Sequence, residues 1–105
     1  MFKFDCKTSA LFTDFYELTM AQGYWKNKMD CPAVFDMFFR RNPFKGGFAV
    51  FAGLETLLDA LTQFTFSESD IEYLKSVGIF EQGFLDYLKD FRFTGDVYAQ
   101  DEGSI

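Results

Sequence analysis

A chain of 105 residues with 49% hydrophobic and 25% charged residues is long enough for one small folded domain and too apolar for a disordered one. A net charge of −6 and a pI near 4.4, with no basic run, exclude nucleic acid as the main partner, and no apolar run approaches the ~20 residues of a membrane span. The chain has no histidine, which removes most hydrolase triads and most zinc sites, and its 16 phenylalanines exceed what one small core can hold, so part of them is expected to bury against further protein.

Residues 1–12 read as an irregular or extended lead-in. Met1-Phe2-Lys3-Phe4-Asp5-Cys6-Lys7 contains an early acid and no uninterrupted apolar region, so it does not read as a secretory leader, and a cytoplasmic location is expected. Cys6 and Cys31 have neither metal-binding nor redox spacing and read as reduced thiols.

Thr13-Asp14-Phe15-Tyr16-Glu17-Leu18-Thr19-Met20 opens a helix expected from residue 14 to about 27. Asp14 is placed to be its N-cap, with Glu17 closing a capping box, and both acids suit the positive end of the helix dipole. Lys26 and Lys28 suit the other end. Tyr16, Met20 and Tyr24 recur at a spacing of four, and Phe15, Leu18 and Trp25 widen the apolar surface. Such a stripe is ordinarily core. Tyr16, however, lies in the first turn, from which a side chain can enter a cleft, so core and site readings both stand.

After Pro32, residues 33–40 alternate like a strand, with Phe35, Met37, Phe39 and Arg41 on one face and Val34, Asp36, Phe38 and Arg40 on the other. Asn42-Pro43-Phe44-Lys45-Gly46-Gly47 is turn chemistry, and residues 48–52 form a second short strand, giving an expected hairpin. From Gly53 onward, Leu54, Leu57, Leu58, Leu61 and Phe64 trace one face of an amphipathic helix. Ser67-Glu68-Ser69-Asp70 opens a third helix that Gly78 is placed to end, and Phe84, Leu85, Leu88 and Phe91 form the stripe of a fourth at about 81–90. Residues 94–100 regain strand character, and Ile105 reads as the opening of a further apolar strand. The expected fold class is therefore α+β: a small antiparallel sheet packed with about four helices.

Few residues carry obvious chemistry. Gly46-Gly47 lacks the spacing of a phosphate loop and reads as a turn. Asp101 and Glu102 are adjacent, so in a strand they point apart and do not converge as a carboxylate pair. Arg40-Arg41 is the one positive cluster after a strand. Guanidinium groups suit phosphates and carboxylates, although a solvated strand end is the commoner reading.

Taken together, Thr13-Asp14-Phe15-Tyr16-Glu17-Leu18-Thr19-Met20-Ala21-Gln22-Gly23-Tyr24-Trp25, then residues 35–44 and 46–55, then Phe84-Leu85-Asp86-Tyr87-Leu88 and the tail through Glu102-Gly103-Ser104-Ile105, resemble the N-terminal domain of nicotinate phosphoribosyltransferases. These enzymes are like type II phosphoribosyltransferases. The resemblance runs nearly the whole length and is least diagnostic between 65 and 80. It implies a domain at 1–105 that precedes a barrel domain and is inactive alone. The barrel carries the family's phosphorylated histidine. The implied reaction joins nicotinate to phosphoribosyl pyrophosphate in NAD synthesis or salvage, coupled to ATP hydrolysis. ATP and Mg2+ are then expected for the whole enzyme and not for this segment. The resemblance further implies a homodimer whose sites are shared between subunits. In it, Tyr16 stacks on the pyridine ring, Asp14 fixes the motif, and Arg40, with Arg41 beside it, reaches phosphate groups. A nicotinamide-using relative and a stand-alone interaction module are the alternatives.

Overall fold

The computed structural model describes residues 9–105. Among them are four α-helices: α1 (Phe15–Lys26), α2 (Leu54–Thr62), α3 (Glu68–Val77) and α4 (Gln82–Lys89), with one 3-10 turn at Pro43–Lys45. The expected α+β class is overturned, because the described residues contain no strand and no sheet.

The missing sheet has a physical reason. Alternation marks a segment that fits a sheet, but a strand exists only when a neighbour takes its backbone hydrogen bonds. Residues 33–42 find no such neighbour among the described residues and run exposed, with Phe35 at 91% of full accessibility. The turn between the two expected strands also fails as a hairpin loop. Phe44 and Lys45 both take φ of 56°, left-handed backbone that non-glycine residues adopt at a cost, and the chain leaves the turn without pairing. Among the described residues, a ladder-like exchange joins two distant segments. Phe51 N donates to Ser104 O at 2.8 Å, and Gly103 N donates to Phe51 O at 2.8 Å.

The core forms where capping and periodicity agree. Ser67 Oγ accepts from Asp70 N at 3.2 Å while Asp70 Oδ2 accepts from Ser67 N at 2.9 Å, a complete capping box on α3. Gly78 ends that helix with φ of 85°, a conformation glycine takes without a Cβ penalty. The chain then reverses into α4, which packs on both α3 and α1. Leu18, Ile71, Leu74, Phe84, Leu85 and Leu88 form the buried cluster, with Leu11, Ala21, Trp25, Phe66 and Phe80 around it.

α1 meets α4 closely at Gly83, where an added Cβ would lie 2.9 Å from the Trp25 ring. Two effects of Gly83→Ala oppose each other. Alanine gains about 0.5–1 kcal/mol of helix propensity, while overpacking a set contact costs about 1–3 kcal/mol. Trp25 is held against Phe84 at 5.9 Å between ring centres, so the clash should win. The expected result is a lowered midpoint in a thermal melt; a raised one would mean that α1 and α4 are less tightly set.

α2 is the exception. Its leucine stripe is the clearest periodic signal in the chain, yet none of its residues is buried and it packs on no other described helix. Leu57 and Leu58 stay 43% and 39% exposed. The radius of gyration is 16.8 Å, against about 13 Å for a compact domain of this length. The chain thus has a tight three-helix core and an open periphery.

Candidate functional site

α1 begins at Asp14, whose φ of −75° and ψ of 141° are those of an N-cap. The expected capping box is not made. Asp14 gives no side-chain cap bond, and Thr13 Oγ1 donates to Glu17 Oε2 instead. In a complete box the two side chains would take different N–H groups, but here the Glu17 carboxylate is turned to the Thr13 hydroxyl. One turn on, Thr19 Oγ1 donates to Tyr16 O at 2.8 Å.

The stripe at spacing four is the outward face of α1, not its core face. Tyr16 is 59% exposed, and Met20 and Tyr24 are exposed with it. The inward face carries Leu18, Ala21 and Trp25, joined to the core cluster. Phe15 meets Phe80 edge-on at 6.1 Å. With three overlapping apolar stripes on one helix, spacing cannot choose the inner one; packing on α4 does.

Two polar contacts clamp α1 to the turn before α4. Gln22 Nε2 donates to Ile79 O at 3.2 Å, and Glu81 N donates to Gln22 Oε1 at 2.7 Å. Lys26 Nζ lies 2.8 Å from Glu81 Oε1, and that hydrogen bond, then the charge itself, holds the Lys26 pKa above its usual value. The helix ends at Asn27. Lys28 N donates to Trp25 O and Met29 N to Tyr24 O, a Schellman closure with Lys28 at φ of 54°.

Arg40 and Arg41 lie in the irregular segment before the 3-10 turn and are exposed. Among the described residues no ion pair involves either of them. No described hydrogen bond joins them to Asp14 or Tyr16, so this chain does not gather the four residues into one pocket. Two concavities among the described residues lie elsewhere. One, of about 590 Å3, is an aromatic groove between α1 and α4, floored by Phe84 and Leu88. The other, of about 1050 Å3, opens between α2 and the start of α1. None of Asp14, Tyr16, Arg40 and Arg41 lines either.

Glu102 has a role that the sequence reading missed. Its carboxylate accepts from Gly53 N at 2.6 Å and Leu54 N at 3.2 Å, capping α2 from a residue 49 positions away. Gly53, at φ of 103°, brings no side chain of its own to that end. A helix start with no Ser, Thr, Asp or Asn before it was the available signal. Cys31 is exposed, while Cys6 lies outside the described residues.

Among the described residues no three of Cys, Asp and Glu come together to hold a metal ion. No described helix is long and apolar enough to cross a membrane.

These features define a helical domain that is tightly packed on one side and presents a tyrosine, two guanidinium groups and a leucine face on the others. Residues 11–105 match the model of the nicotinate phosphoribosyltransferase (NAPRTase) N-terminal domain, and the chain belongs to that family. It is 47% identical over 96 residues to nicotinate phosphoribosyltransferase pncB2 of Mycobacterium tuberculosis (strain ATCC 25618 / H37Rv), covering 91% of this chain and 21% of that protein. It is 53% identical over 74 residues to the Caenorhabditis elegans nicotinate phosphoribosyltransferase, covering 70% of this chain and 13% of that protein. For the Bacillus subtilis (strain 168) nicotinate phosphoribosyltransferase, the figures are 39% over 97 residues, 91% and 20%. The chain thus spans between 13% and 21% of the length of these relatives. No solved structure matches it.

Proposed function

We propose that this chain serves as the N-terminal domain of an enzyme that joins nicotinate to phosphoribosyl pyrophosphate, giving nicotinate mononucleotide and pyrophosphate for NAD salvage. The observation that carries the reading is the family match over residues 11–105. The outward set of Tyr16 agrees with it, because a ring sealed in the core could stack on nothing.

In this reading Tyr16 lies flat on the pyridine ring of nicotinate in a site completed by other parts of the enzyme. Asp14 starts the helix that carries it. Arg40 gives charge-assisted hydrogen bonds to phosphate oxygens, and Arg41 adds positive potential beside it. ATP and Mg2+ act on groups outside this domain. The exposed face of α2 and the phenylalanines of residues 33–51 bury against a following barrel and against a second subunit of a homodimer. The domain alone is then inactive.

The test is to assay nicotinate mononucleotide formation by the enzyme containing this domain and by the 105-residue chain alone. Activity is expected only from the former. Arg40→Ala there should raise the KM for phosphoribosyl pyrophosphate at least about tenfold, since a hydrogen bond to a charged group contributes roughly 1.5–3 kcal/mol net of its exchange with water. An unchanged KM would remove Arg40 from the site. Preferential use of nicotinamide would reassign the substrate, and no activity in either form would favour a binding module.

A further inference from the structure

We propose that Gln22 is a positioning residue that sets the rotation of α1 about its own axis and thereby aims the Tyr16 ring. The functional consequence rests on the reading of Tyr16 given above; the positioning itself does not.

Apolar packing on α4 selects the inner face of α1, but burial is non-directional and sets the fine rotation of that face less sharply than it selects the face. Turning the helix by a whole residue, about 100°, would put Glu17 or Thr19 in place of Leu18 and Tyr24 or Lys26 in place of Trp25, so packing forbids that turn but leaves smaller rotations to be set by other contacts. Hydrogen bonds, by contrast, are directional. Gln22 is half-buried on the inner side of α1 and uses both ends of its amide on the backbone of one short turn. Its Nε2 donates to Ile79 O, and its Oε1 accepts from Glu81 N, the N-cap residue of α4. The two partners flank Phe80 and are of opposite kind, so the amide fits one way round. The Lys26–Glu81 pair lies on the same side, but its groups are 65% and 47% exposed and an ammonium is a weakly directional donor. Gln22 and Tyr16 lie six positions apart, roughly a third of a turn around the helix. Fixing the direction of one therefore fixes that of the other, which faces solvent.

The experiment uses the enzyme containing this domain, with a single fluorinated tyrosine at position 16 as probe. Gln22→Leu keeps bulk and removes both hydrogen bonds. Gln22→Glu keeps the acceptor alone. Lys26→Met removes the ion pair and leaves the amide. Gln22→Leu is expected to shift the fluorine resonance and to raise the nicotinate KM roughly threefold to tenfold, with kcat little changed, as for a misplaced binding group. Gln22→Glu should give a smaller shift in the same direction, and Lys26→Met should give none. An unmoved resonance in Gln22→Leu, or an equal shift in Lys26→Met, overturns the proposal. If Gln22→Leu does not fold, Gln22→Glu decides in the same way. A moved resonance with an unchanged KM upholds the positioning and instead removes Tyr16 from nicotinate binding.

Discussion

Phe84→Ala should destabilise the domain by about 3–5 kcal/mol, as expected for a large aromatic truncated in a packed core. Phe84 is 1% exposed and touches both halves of the core: Trp25 of α1 at 5.9 Å and Phe80 of the α3–α4 turn at 5.9 Å. α4 is the one helix that packs on two others, so a cavity there loosens α1 and α3 together. Whole domains are stable by only about 5–15 kcal/mol, so the loss takes roughly a fifth or more of the total. The paired control is Phe44→Ala. Phe44 is fully exposed, and its removal should change stability by less than about 0.5 kcal/mol. Urea midpoints of the two variants check the assignment; equal losses would show that the core has been drawn in the wrong place.

Tyr16→Ala should raise the nicotinate KM of the enzyme containing this domain about tenfold while leaving the fold intact. Stacking on a tyrosine contributes on the order of 1 kcal/mol beyond area burial, and each 1.4 kcal/mol is tenfold in affinity. Because the ring is largely outside the core, its loss removes few packing contacts, and the melting temperature should barely move. Tyr16→Phe keeps the stacking face and should keep most of the affinity. Steady-state kinetics with nicotinate varied at saturating phosphoribosyl pyrophosphate distinguish the cases. A Tyr16→Phe variant as impaired as Tyr16→Ala would shift the role from the ring face to the hydroxyl.

The helices were legible because local signals suffice for them. The Ser67–Asp70 box, the αL glycine at 78 and the Phe84–Leu85–Leu88 stripe are all encoded within a few residues of where they act. The sheet was misread because alternation over residues 33–40 describes what a segment could pair with, not whether a partner is within reach. The inner face of α1 was misread for a related reason. Tyr16, Met20 and Tyr24 look as buried as Leu18, Ala21 and Trp25 until α4 selects between them. Tyr16 in a first turn and the Arg40-Arg41 cluster stood as candidates beside their core and solvent readings. Only family resemblance joined them with Asp14 in one site, since nothing in their spacing marks a pocket and the described residues do not bring them into one. Gln22 and Glu102 escaped notice because each acts across some fifty positions, on backbone atoms that carry no side-chain signature.

The Glu102 cap also orders events during synthesis. A ribosome delivers the chain from Met1 onward, so Phe84 and Leu85 emerge before residue 102 does, and α1, α3 and α4 have their partners in hand while the start of α2 still faces water. Closing a loop of 49 residues costs entropy that no nearby contact repays early. The helix with the boldest leucine pattern therefore gains its cap only after residue 102 has been delivered.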